Sequence, residues 1–165
     1  LPVMAFPPSA GLIAANKTAK SWDVHPLNMA LCHGLIPIVQ GDVIFDEEIG
    51  GTIFSTEKIF HYLGKRLYPA KILIAGIEAG VYANPYSPDQ VIPMIRPDDI
   101  DRILPGLSGS ETVDVTGGML SKVRLMLSLV QDLPQVKIQI FSGNKPGNIR
   151  SALAGNHLGT LLSSE

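Results

Sequence analysis

Two short stretches constrain the fold more tightly than anything else in the chain. Residues 36–39 (IPIV) and 72–75 (ILIA) are apolar at successive positions, with no alternation between an inner and an outer side. Strands written this way are buried on both faces, as parallel strands covered by helices are. Helical patterns alternate with them. In residues 23–34, Asp23 is placed to cap, Pro26 fits the first turn, Leu27, Ala30 and Leu31 share one apolar face, and Gly34 ends the helix. Residues 55–67 open on cap-type residues and set Ile59, Phe60, Leu63 and Leu67 on one face. Met119, Leu120, Val123, Met126, Leu127 and Val130 recur at helical spacing and predict a helix over 119–132.

Further strands are predicted at 3–6, closed by Pro7 and Pro8, and at 136–141, where apolar and polar residues alternate. Residues 43–54 read as a hairpin around an acidic, glycine-rich bend. The proline-rich stretch 84–98 reads as a loop, 97–104 as a short helix, and 147–155 as another short helix ended by Gly155. The class is therefore α/β, with a mainly parallel sheet covered by helices on both sides. Ligands of such sheets bind beyond the carboxyl ends of the strands.

Length and composition bound the rest. The 165 residues suit one compact domain spanning 1–165, and 45% hydrophobic with 17% charged residues gives enough apolar material for a core. A net charge of -2 offers no electrostatic case for nucleic acid or an anionic membrane. No apolar run reaches a transmembrane length, and residues 1–11 lack the basic and apolar regions of a signal peptide. The lone Cys32 excludes an internal disulfide; within a helical pattern it reads as a small buried hydrophobe in a reducing, cytoplasmic compartment. A chain that opens on a buried-looking strand reads as starting within a fold, so these 165 residues expressed alone are expected to expose core and aggregate.

Several segments at strand ends carry candidate chemistry. In DVTGGMLSK (114–122), Asp114 or Thr116 is placed to cap the following helix, and Gly117 and Gly118 let a ligand approach free backbone N–H groups. Lys122 lies one turn beyond Gly118, where its ammonium reaches the same anion; a glycine turn before a helix with a surface lysine explains the stretch as well. Gly41-Asp42 ends an apolar strand, either as a turn with a capping carboxylate or as backbone donors beside a carboxylate that orients a cation. Glu57 suits the first turn of a helix by its charge alone, and equally suits an acid that holds lysines in place. Residues 75–85 (AGIEAGVYANP) and 142–148 (SGNKPGN) are glycine-containing exits from strands that either line a crevice or simply turn. His25, His33, His61 and His157 show no metal-ligand spacing, and Cys32 has no base nearby in sequence, so neither a metal site nor nucleophilic catalysis is supported.

Taken in order, VMAFPPSA, GLIPIVQGDVIFDEEIGGTIFSTEKI, LYPAKILIAGIEAGVY, DVTGGMLSKV and GNKPGNIRSALAGNHLGTLL resemble the amino acid kinase family, most of all isopentenyl phosphate kinases, with fosfomycin kinase as a neighbour. The resemblance covers essentially all 165 residues, and its specific parts are the DVTGGM-x-x-K run and the Gly-Asp-Val segment. It implies a three-layer αβα sandwich that moves the γ-phosphoryl of Mg-ATP to a small acidic acceptor, here isopentenyl phosphate, giving the isoprenoid precursor isopentenyl diphosphate. By the same resemblance Lys122 and Glu57 are catalytic. Gly76, Ile77, Tyr82, Gly118, Lys122 and Gly143 border the nucleotide, and Ser9, Gly41 and Asp42 face the acceptor. No resident metal site is implied beyond the Mg2+ that accompanies ATP, and the family implies a homodimer.

The chain departs from the family pattern in three ways. The Lys-x-Gly-Gly-Ser strand and the histidine segment that begin family members have no counterpart, so the chain resembles the C-terminal two-thirds of such an enzyme and is expected to be inactive alone. Ile77 and Ala79 replace acids in the nucleotide turn, and Glu57 replaces Asp. Two other readings stay open: a kinase of the same fold acting on a phosphonate or carboxylate, and a non-catalytic nucleotide-binding regulatory module.

Overall fold

The computed structural model describes residues 1–83, 90–100 and 118–165. They form two compact units, Leu1–Leu67 and Tyr68–Glu165.

In the first unit β1 (Val3–Ala5) runs into a 3-10 turn at Pro8–Ala10, followed by β2 (Ile13–Ala15), β3 (Thr18–Ser21) and α1 (His25–Cys32). Then come β4 (Ile36–Ile38), β5 (Asp42–Asp46), β6 (Gly50–Phe54) and α2 (Thr56–Leu67). β1 and β4 pair in parallel, Val3 opposite Ile36. The other four strands lie in the order β3-β2-β5-β6, with β2 and β5 parallel and the β5–β6 hairpin in continuous register from Asp42↔Phe54 to Asp46↔Gly50. Leu12, Ala14, Ile44, Phe54 and Ile59 form the core under this sheet, joined by Ala19, Trp22, Val39 and Leu63.

The second unit holds β7 (Lys71–Gly76), β8 (Met94–Ile95), a 3-10 turn at Pro97–Asp99, α3 (Gly118–Asp132), β9 (Lys137–Ser142), α4 (Asn148–Leu153) and β10 (Thr160–Leu162). Its strands lie in the order β7-β9-β10-β8. β7 and β9 are parallel from Lys71↔Lys137 to Gly76↔Ser142, so both strands end together. Val123, Met126, Leu129 and Val130 of α3 are fully buried, as are Ile138 and Leu162 of the sheet. The i, i+3, i+4, i+7 spacing read for this helix is the spacing that packs. Among the described residues parallel pairings outnumber antiparallel ones, and no helix is long and apolar enough to cross a membrane.

Several expectations change. β4 pairs in parallel as read, but Ile36 and Ile38 are 42% and 48% exposed, because a two-stranded sheet covers little of its own surface. Cys32 is exposed. Two residues past the buried Ala30, it points about 200° around the helix from it. Leu31 is exposed, while Leu27 and Ala30 are buried. On α2 the deeply packed residues are Ile59, Tyr62 and Gly64, whereas Phe60, Leu63 and Leu67 are half-buried. β9 does not alternate. Gln139 is buried too, its amide donating to the carbonyls of Asn156 and Leu158 at 3.3 and 2.8 Å. Of the stretch 97–104, Pro97–Asp99 form a 3-10 turn and Ile100 is helical, while residues 101–104 lie outside the described residues.

The β2–β3 hairpin was not foreseen. Its turn residues Asn16 and Lys17 are left-handed at φ 46 and 64, the geometry of a tight hairpin turn. Asp46, buried at the end of β5, accepts the backbone N–H groups of Asn16, Lys17, Glu48 and Ile49 at 2.7 to 3.3 Å. Burial pushes this carboxyl upward, but the four N–H donors outweigh it and hold the group below its ordinary value.

Candidate functional site

The candidate residues gather at strand ends within each unit. In the first, β1 delivers the chain to the 3-10 turn that carries Ser9, and the exit from β4 delivers it to Gly41 and Asp42. Ser9 donates its backbone N–H to Asp42 Oδ2 at 3.0 Å, and Val43 donates to Oδ1 at 2.9 Å. The Ser9 hydroxyl, then its N–H, hold the Asp42 carboxyl below its ordinary value, with burial opposing and the Val43 N–H assisting. Gly41 lies against the start of α2. A Cβ there would sit 3.4 Å from Thr56 Oγ1 and 3.5 Å from both Phe54 O and Thr56 N. The first turn of α2 carries Glu57, half-buried, where its charge suits the helix dipole. Ser55 Oγ accepts the Lys58 N–H at 3.3 Å, and Lys58 Nζ donates to Lys17 O at 3.1 Å. Ser9, Gly41, Asp42 and the amino end of α2 therefore border one place.

In the second unit the carboxyl ends of β7 and β9 are tied backbone to backbone. Gly143 N–H donates to Gly76 O at 2.7 Å, and Ser142 Oγ donates to Ile77 O at 2.8 Å. A Cβ on Gly143 would come within 3.2 Å of Ala75 Cβ, so the two strand exits approach as glycine allows, and Gly76 faces open space. Beyond them Ile77 is 77% exposed. Tyr82 is half-buried, its hydroxyl accepting the Ala79 N–H at 3.2 Å. Gly76, Ile77 and Gly143 thus lie at the joined exits of β7 and β9, with Tyr82 tied to the same turn through Ala79.

Gly118 opens α3 at φ +67, in the left-handed region that glycine favours. Lys122 follows one turn later and is half-buried. α3 packs against the Pro97–Asp99 turn, β9 and β10. Asp114, Thr116 and Gly117 lie outside the described residues. Among the described residues no three His, Cys, Asp or Glu side chains converge on a metal position.

Three supporting residues escaped the sequence reading. Asp46 has been described above. Thr160 is buried and accepts the Val81 N–H at 2.8 Å, while Asn148 donates to Ser142 O at 2.9 Å. Asp46 carried a signal as an aspartate opening a glycine-rich bend, and Asn148 as the last residue of the 142–148 strand exit, whereas Thr160 carried none.

The profile of the amino acid kinase family matches residues 2–142. The isopentenyl phosphate kinase of Methanocaldococcus jannaschii is 31% identical over 160 residues, covering 97% of this chain and 57% of that protein. The isopentenyl phosphate kinase of Methanothermobacter thermautotrophicus is 30% identical over 172 residues, covering 100% of this chain and 62% of that protein. A solved structure described as isopentenyl phosphate kinase superposes with a TM-score of 0.79 at 25% identity, over 99% of this chain and 60% of that one. The α/β class stands on this likeness. The chain spans about three fifths of the length of these relatives, and this replaces the expectation of a C-terminal two-thirds.

Proposed function

The chain belongs to the amino acid kinase family, and from that premise we propose that it phosphorylates isopentenyl phosphate to isopentenyl diphosphate. The observation that carries the reading is the sequence match, at 30% and 31% identity across nearly the whole chain, to two isopentenyl phosphate kinases. The local geometry is compatible with it. Mg-ATP would supply the phosphoryl group, its cation adding to the positive charge that Lys122 brings to the phosphates.

Lys122 neutralises phosphate charge from the first turns of α3, and Gly118 leaves the helix start open to an anion. The strand exits with Gly76, Ile77, Tyr82 and Gly143 take the adenosine. The Gly41 N–H and the Ser9 turn face the acceptor phosphate, with Asp42 beside them, and Glu57 orders the cationic groups. With Ile77 and Ala79 in place of acids, the nucleotide turn holds the ring by packing and backbone contacts. The activity belongs to one domain in a cytoplasmic homodimer.

The test is magnesium-dependent ATP turnover with isopentenyl phosphate, using the protein at the length its gene encodes. Turnover is expected, and Lys122→Met is expected to lower kcat at least about 100-fold, the scale of losing one oriented charge in such a site. Nucleotide binding without turnover, across a panel that includes phosphonates and carboxylates, would replace this reading with the regulatory one.

A further inference from the structure

Asp42 stands beside the proposed acceptor site, and a carboxylate there poses a physical problem. The acceptor is a phosphate, and two anions in contact repel. The hydrogen bonds show where the charge is directed. One carboxylate oxygen takes the Ser9 N–H at 3.0 Å and the other takes the Val43 N–H at 2.9 Å. The Ser9 N–H is left over by its own turn, whose bonds run from Ala10 to Pro7 and from Gly11 and Leu12 to Pro8. Asp42 therefore supplies the acceptor that the turn itself does not, and it joins residues 33 positions apart in the chain. The two segments it joins are the exits of the parallel strands β1 and β4, with Gly41 and the start of α2 alongside.

We infer that Asp42 is a positioning residue: its carboxylate clamps the Ser9 turn to the Gly41 segment and so shapes the acceptor pocket, without touching the acceptor or a cation. The inference rests on the kinase reading above for its kinetic consequence, while its structural consequence is independent of that reading.

The experiment compares Asp42→Asn with Asp42→Ala in the protein at its native length. Asparagine keeps a carbonyl oxygen for one of the two N–H donors but carries no charge. If Asp42 positions the turn, Asp42→Ala raises KM for isopentenyl phosphate about tenfold, the scale of one hydrogen bond to a charged group. In that case kcat and KM for ATP stay near wild type, and Asp42→Asn recovers most of the loss. A kcat that falls alike in both variants would overturn the inference, because it would mean that the charge itself acts on the reacting groups. Amide hydrogen exchange gives the second readout. The Ser9 N–H is expected to lose protection in Asp42→Ala and to keep much of it in Asp42→Asn. Unchanged Ser9 protection in Asp42→Ala would overturn the clamp whatever the kinetics. Absence of turnover in the wild type with an intact Ser9 exchange effect would sink the kinase reading and leave the clamp standing.

Discussion

The two sets of strand ends are closed by different physics. In the first unit, carboxylates hold them: Asp42 ties the Ser9 turn to β5, and Asp46 gathers four N–H groups from two turns. In the second unit, close neutral approach holds them. Gly143 meets Gly76, Gly80 fits against Val91 and Thr160, and Gly159 passes under the carbonyls of Ile140 and Ala79. A structure held by carboxylates is sensitive to pH, whereas one held by missing Cβ atoms is sensitive to a single methyl group. The units should therefore fail under different insults.

The largest effect is expected at Gly159. A Cβ there would collide with the carbonyl oxygens of Ile140 and Ala79, and its φ of +63 already excludes most side chains. Gly159→Ala is expected to destabilise the second unit by roughly 3 kcal/mol or more, since the obstacle is backbone that cannot swing away. Urea unfolding followed by hydrogen exchange would check this, with protection lost first in β9 and β10. Loss confined to the first unit would break the comparison.

Acid comes next. The carboxyls of Asp42 and Asp46 are held below their ordinary value of 3.8 in the folded chain. The folded state therefore binds fewer protons than the unfolded one near that pH. The stability this confers is fully present above the unfolded value and is lost as pH falls through the folded values. Amide exchange between pH 5 and pH 2.5 should open the β2–β3 and β5–β6 hairpins before β7 and β9. Asp46→Asn should remove most of that difference and lower the melting temperature by several degrees at neutral pH. Equal acid sensitivity of both units would remove the distinction.

The smallest effect is expected at Gly143. Its Cβ would sit 3.2 Å from that of Ala75, a contact that a shift of a few tenths of an ångström relieves. Gly143→Ala should cost about 1 kcal/mol. It should also weaken nucleotide binding more than this, as measured by calorimetry with ATP. An equal effect on stability and on binding would mean that the joined strand exits are a packing feature alone.

Much of the fold was legible in the chain because its cues are local. The apolar run at 72–75, the spacing of Val123, Met126, Leu127 and Val130, and the acidic glycine-rich bend at 46–51 each name an element without reference to anything distant. Gly41, Asp42, Gly76 and Gly143 stood out as glycines and a charge at strand exits, whereas the roles proposed for Ser9, Ile77 and Tyr82 came only with the family resemblance. The β2–β3 hairpin stayed hidden because Ala-Ala-Asn-Lys-Thr-Ala has little apolar contrast, and its turn is held by a carboxylate 30 residues away. Gln139 broke the alternation of β9 because its partners, Asn156 and Leu158, lie beyond α4.

By itself, then, the sequence determined the order and type of most elements, the α/β class, and the strand ends at which chemistry is to be sought. Those properties follow from backbone preferences and short-range periodicity. Tertiary structure alone decided burial and pairing: that Ile36, Ile38 and Cys32 face outward, that Tyr62 packs more deeply than Phe60, and that Asp42 and Asp46 spend their charge on backbone N–H groups. The physical reason is that burial and hydrogen-bond satisfaction depend on which distant segment arrives alongside, and no window of sequence contains that neighbour.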